Sequence, residues 1–137
     1  MIPRLVLLTL LMALAPLAAR PAPAQTAAQA AAATWLALVD GGNYYQSWAI
    51  ASDPFRNAQS RTQWVARVGA AREPLGALRS RRLVSARPAH SLPGAPDGDY
   101  VVIEYASGFA RQLTATEIVT SVKASDGHWR VSGYSIQ

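Results

Sequence analysis

The sequence predicts an α+β domain, with three N-terminal helices packed on one face of a curved four-stranded antiparallel sheet. Three observations carry this. Helix-prone segments come first and strand-prone segments last, the order of α+β chains rather than of alternating α/β ones. The last third, Tyr100 to Gln137, holds runs rich in β-branched and aromatic residues at Tyr100–Tyr105, Phe109–Lys123 and His128–Ile136, bounded by turn residues. Asp126-Gly127 separates the last two runs, and such a dipeptide signals a tight hairpin whose two central positions take φ > 0.

Residues 1–24 stand apart from that domain. Arg4 is a short basic head, Leu5 to Ala15 is an apolar run interrupted only by Thr9, and Ala22-Pro23-Ala24 has the small-x-small form of a cleavage site. The run is too short to span a bilayer as a helix, so it reads as a signal peptide cut after Ala24. Residues 25–137 then form one α+β domain that is periplasmic or secreted, with no membrane span after cleavage. The chain has no cysteine, which excludes a disulfide framework, a thiolate metal site and a lipidated cysteine; its stability must come from packing. The formal net charge is +5, with 13 Lys and Arg against 8 Asp and Glu. Two of those positive charges, Arg4 and Arg20, leave with the leader. The remaining basic excess is too small for a nucleic-acid footprint.

Within the domain, Thr26–Val39 is Ala-rich and helix-prone, with Trp35, Leu38 and Val39 sharing a face. Its start, Gln25–Ala33, is expected to fray. Asp40 closes the helix and Gly41-Gly42 stops it. Asn43 stands where a cap for the next helix is needed, and Tyr44, Trp48 and Ala51 recur at helical spacing. Asp53-Pro54 suits a cap followed by the first helical position, so a break and a short helical turn carrying Phe55 are expected there. Ser60 and Gln63 have capping-box spacing for a third helix, whose apolar stripe is Trp64, Val65, Val68 and Ala71; Pro74-Leu75-Gly76 ends it. Ala77–Arg87 reads as the first strand, with Leu78, Val84 and Ala86 on one parity and Arg79, Arg81, Ser85 and Arg87 on the other. Pro88–Asp99 is a loop set by its prolines and glycines.

Trp35, Ser47-Trp48, Phe55, Trp64, Arg72 with Pro74-Leu75-Gly76, the loop Leu92 to Tyr100, Phe109, Glu117 and the terminal Asp126-Gly127 with Trp129-Arg130-Val131 and Gly133-Tyr134 together resemble a bacterial secreted family, domain of unknown function 4019. The likeness runs from about Ala30 to Ile136. It implies export and carries no catalytic residues, and the basic residue that the family pattern places after Phe109 as Lys is Arg111 here. The helices-then-sheet order with a final Gly-x-Trp-x-Val-type strand also looks like the nuclear-transport-factor-2-like cone, which implies an inner pocket and no particular chemistry.

Little in the sequence points to catalysis. His90 and His128 sit in loop settings, neither with ligand-spaced partners for zinc, and no nucleotide or nucleophile motif is present. Asp97-Gly98-Asp99 reads as a turn rather than a calcium loop. No catalytic residue, metal or cofactor is assigned. Glu117 shares its strand parity with Leu113, Ala115 and Val119, so it should face the core, and a carboxylate there must pair or shift its pKa. Arg130 and Arg82 are the expected partners. The aromatics Trp48, Trp64, Trp129, Tyr105 and Tyr134 either fill the helix–sheet core or line an apolar pocket. The ligand-binding candidates are therefore Trp48, Trp64, Arg82, Tyr105, Glu117, Arg130 and Tyr134. Arg79, Arg81, Arg82 and Arg87 either meet an anionic surface or guard a sheet edge. The expectation is an exported, non-enzymatic module binding a small molecule or an envelope protein. The alternatives are a small isomerase- or hydrolase-like pocket enzyme using Glu117 with Arg130 or Tyr134, and a homodimerising structural subunit.

Overall fold

A computed structural model describes Arg20 and residues 22–137. The leader expected over residues 1–24 lies outside them, apart from Arg20 and residues 22–24. Four α-helices come first: α1 (Pro23–Asp40), α2 (Tyr44–Ile50), α3 (Asp53–Ala58) and α4 (Arg61–Arg72), with a 3-10 turn at Glu73–Leu75. Four strands follow: β1 (Leu78–Ala89), β2 (Tyr100–Phe109), β3 (Gln112–Lys123) and β4 (Trp129–Ile136). They form one antiparallel meander in the order β1-β2-β3-β4. The α+β class is as expected; the helix count is not. The short turn carrying Phe55 is a helix in its own right, because Pro54 falls in its first turn, where a missing N–H costs nothing. Its cap is Ser52, whose Oγ accepts from the Phe55 N–H, not Asp53.

The start of α1 does not fray. The helix begins at Pro23, and Ala28 and Ala32 are fully buried against the sheet. Alanine has no bulk to hold the backbone off, so the Ser121 hydroxyl reaches the Ala28 carbonyl at 3.0 Å. Gln25 bonds back to the Ala22 N–H and forward to the Ala86 carbonyl of β1. Asn43 occupies the cap position of α2 without a side-chain bond. The capping box of α4 forms as its spacing demands, with Ser60 and Gln63 bonding reciprocally at 3.1 and 2.8 Å. No helix among the described residues is long and apolar enough to cross a membrane.

In the sheet, two irregularities in β1 decide which residues face the helices. The register with β2 shifts between Leu78 and Ser80 and again between Leu83 and Ser85, so Arg79 and Val84 are each an extra residue. A bulge flips every later side chain to the other face. Between the two bulges the parity is therefore reversed: Arg81 turns inward opposite Ser107, and Arg82 turns outward opposite Ala106. This corrects the expectation that Arg79, Arg81 and Arg87 share one face. In β3, Ala115, Glu117, Val119 and Ser121 are buried in strict alternation. Leu113 leaves the pattern at 82 % exposure, where β2 and β3 end. There the register shifts again, at Gly108. A Cβ on Gly108 would stand 2.9 Å from the Leu113 carbonyl oxygen and the Ser80 hydroxyl, so the close approach needs glycine. The β3–β4 hairpin is wider than a two-residue turn. The Ala124 N–H bonds the His128 carbonyl, and only Gly127 has positive φ, at 85°.

Candidate functional site

Glu117 is wholly buried at the centre of the molecule, and its partners are not the two expected. Arg82 is exposed and Arg130 pairs with Asp126 at 2.9 and 2.7 Å beside the hairpin turn. The residue that reaches Glu117 is Arg81, which the two bulges of β1 turn inward. Its Nε donates to Glu117 Oε1 at 2.9 Å, and its Nη1 and Nη2 donate to the two oxygens of Asp40 at 2.7 and 2.9 Å. Asp40 is the last residue of α1. Arg72, the last residue of α4, donates to the same Asp40 at 2.7 Å and sits 3.7 Å from Glu117 Oε2, with its guanidinium 4.7 Å from the centre of the Phe109 ring. Two hydroxyls complete the cluster. Ser107 of β2 donates to Glu117 Oε1 at 2.6 Å, and Tyr134 of β4 donates to Oε2 at 2.5 Å.

This network draws one residue from each of α1, α4 and the four strands. Two guanidiniums and two carboxylates cancel in charge, as a buried group of this size must. The electrostatics follow from that pairing. Burial works to raise the Asp40 carboxyl, but hydrogen bonds from Arg81 and Arg72 outweigh it and hold it below the usual range. Burial works against the charge on Arg81 and Arg72, and Asp40 with Glu117 more than restores it, so both guanidiniums hold their protons more tightly than usual. Burial, then the charge of Glu117, pushes the Tyr134 hydroxyl well up. Such a cluster adds little net stability over an apolar core, yet removing one member costs about 3–5 kcal/mol by stranding the others.

Beside it lies an aromatic cluster. Trp35, Phe55, Trp64 and Tyr134 stack with centroids 4.9 to 6.4 Å apart, within the range of favourable ring pairs. Both buried indoles are satisfied by one residue of α2: Trp35 Nε1 donates to the Ser47 carbonyl and Trp64 Nε1 to the Ser47 hydroxyl, each at 2.9 Å. Tyr134 links the two clusters, with its ring on Trp35 and its hydroxyl on Glu117.

The candidates fall into three places. Trp64, Tyr105 and Glu117 are interior, and Tyr134 joins them at the β4 side. Trp48 is half-buried on α2, donating to the Gln59 carbonyl at 3.0 Å. Arg82 and Arg130 lie on the outside: Arg82 joins no ion pair among the described residues, and Arg130 is committed to Asp126. Sequence reasoning missed Asp40, Arg72, Arg81 and Ser47. Arg72 was legible, since Trp64, Val68 and Arg72 recur every four residues and so share a helix face.

Chemically, the interior is closed. Glu117 Oε1 accepts from Arg81 and Ser107 and Oε2 from Tyr134, and Glu117 lines none of the larger surface clefts. Four of these clefts lie on the β4 side; the fifth, about 410 Å³, lies on the β1–β2 face beside Arg87, Val102 and Glu104. One of about 500 Å³ is polar, with Asp53, Arg56, Asp97, Lys123, Asp126 and Arg130 among its walls. Another, about 420 Å³, is walled by Phe55, Leu92, Pro93, Tyr100, Gly133 and Tyr134. Pro54, Pro96 and Tyr100 are common to both, so they meet under the 90–99 loop.

Together these features define an α+β domain of helices on an antiparallel sheet, with an interior whose charged side chains are paired with one another and in which Arg72 Nε has no hydrogen-bond partner among the described residues. The chain belongs to the family described as protein of unknown function (DUF4019), whose family model matches residues 31–134 and so takes in every member of both clusters. No curated protein matches the chain.

Proposed function

We propose that this protein is an exported, non-catalytic binding module that recognises its partner from the β4 side. The observation that carries the reading is the state of Glu117. A general base needs a free lone pair aimed at substrate in open space; both oxygens here are taken by residues of the fold. The surface clefts under the 90–99 loop, by contrast, are open and mix aromatic with charged walls, as binding sites do. Export rests on Arg4, the apolar run Leu5–Ala15 and Ala22-Pro23-Ala24. Cleavage after Ala24 would fall in the first turn of α1. The order of helices and strands supports a place in the nuclear-transport-factor-2-like superfold.

The test is native mass spectrometry of the protein recovered from its own cells after fractionation. A mature mass beginning at Gln25, with a reproducible bound molecule or chain, is the expected result. Hydrolysis of p-nitrophenyl acetate that Glu117→Gln abolishes would overturn the reading in favour of a pocket enzyme. A second reading, the homodimer, is favoured by the sheet face away from the helices, where Val102, Ala106 and Ile118 are half-exposed and no element of the described residues covers them. Sedimentation of the purified protein decides it.

A further inference from the structure

The two edges of the sheet are not equally closed, and β4 presents an unfilled one. Among the described residues β4 pairs only with β3. At its end, Thr116 and Gln137 exchange both backbone hydrogen bonds, each at 2.9 Å. In an antiparallel pair such residues alternate with ones whose N–H and C=O point the other way. Ser135 and Gly133 therefore bond β3, and Tyr134 and Ile136 turn their N–H and C=O outward. Among the described residues none bonds these four groups. Higher on the same edge the chain fills the position itself, with the Ser52 N–H donating to the Val131 carbonyl at 2.9 Å.

The open length lies in a groove. The cleft of about 420 Å³ runs past Ser132, Gly133 and Tyr134, and a smaller one of about 190 Å³ continues past Tyr134, Ser135 and Ile136, walled by Trp64, Val68 and Ala71 of α4. Arg67 borders both. It is exposed, and none of the ion pairs of the described residues includes it. Residues 133–136 carry no charge, proline or other device that would deter pairing.

We propose that an extended segment of another protein adds to the sheet here as a fifth strand, bonding the backbone of Tyr134 and Ile136. Strand addition draws affinity from such main-chain groups and specificity from pockets for alternate side chains. The groove therefore selects a segment with apolar residues at alternate positions, to lie on Ala71 and Ile136 above the buried Trp64 and Val68, and an acidic residue beside Arg67. The inference rests on the binding-module reading and narrows it to one class of partner and one edge.

The test is selection of a displayed random heptapeptide library on the full chain, followed by amide exchange of the protein with the enriched peptides. The expected peptides alternate apolar residues around an acidic one and slow exchange at Tyr134 and Ile136. Ile136→Pro, which removes an outward N–H without touching the β3 ladder, and Arg67→Glu are each expected to weaken binding by about tenfold or more. Enriched peptides that protect only other amides would overturn the edge and leave the binding module standing. No enrichment would overturn the edge, and the binding module would then be judged by the native mass spectrum alone. A protein that sediments as a dimer, and as a monomer after Ile136→Pro, would assign the edge to a second copy and overturn the foreign partner.

Discussion

The two sides of this sheet are closed by different physics. On the β1 side, charge does the work. Arg81 is turned inward to join Asp40, Arg72 and Glu117, while the strand's outer edge is guarded by two bulges, by Arg79, Arg82 and Arg87 and by Pro88. Such features discourage edge-to-edge pairing. On the β4 side the inner contacts are aromatic, Trp35 and Trp64 against Tyr134 with Phe55 against both indoles, and among the described residues the edge past Ser132 is left bare. The β4 edge has one bulge, at Ser132, and one covering bond, from Ser52 to Val131, and only Gly133 to Ile136 is left without such a device. Stability and the proposed recognition fall in different places: the buried network fixes α1 and α4 to the sheet, and the strand addition is proposed at the outward backbone of Tyr134 and Ile136.

The comparison breaks most readily inside. Trp64→Ala and Arg81→Ala strike the two sides separately, and each is expected to cost about 3–5 kcal/mol in urea unfolding, the first by leaving a core cavity, the second by stranding buried carboxylates. Arg82→Ala, one residue away, should stay within about 0.5 kcal/mol. Equal losses for Arg81 and Arg82 would mean that the bulge at Arg79 does not turn the strand. A smaller effect, about 1 kcal/mol, is expected for Ser52→Ala through loss of the α3 cap, and the urea midpoint reports it.

The pH response separates the sides again. Asp40 has a folded pKa below its ordinary 3.8, so its contribution is present above that value and is lost as pH falls through it toward the folded one. Tyr134 has a folded pKa above its ordinary 10.0, so its contribution is present below 10.0 and is lost as pH rises past it. Thermal unfolding across pH should therefore weaken at both ends, and Tyr134→Phe should blunt only the alkaline decline. The smallest stability effect belongs to the guards. Arg82→Val with Arg87→Val should leave the urea midpoint nearly unchanged while raising light scattering, because it uncovers the β1 edge.

The layers of this fold were legible in the sequence because their signals are local. The Ser60–Gln63 capping box, the alternation around Glu117 and the order of helices before strands each act over a few residues. The burial of Glu117 followed from its parity alone. Its partner did not, because choosing Arg81 over Arg82 depends on an extra residue at Arg79, and a bulge leaves no mark in composition or periodicity. The packed start of α1 was hidden for a related reason: a run of alanines reads as loose by itself, and only the sheet beneath it shows that the small side chains serve close approach. The open edge of β4 was invisible too, since which strand ends a sheet is a property of topology.

The most direct measurement is native-state amide exchange on the free protein, resolved residue by residue along β4. An open β4 edge leaves the inward amides of Gly133 and Ser135 protected by β3 and the outward amides of Tyr134 and Ile136 exchanging far faster, in strict alternation. Protection at Tyr134 and Ile136 equal to that of their neighbours would mean the edge is already filled, and would contradict an open one.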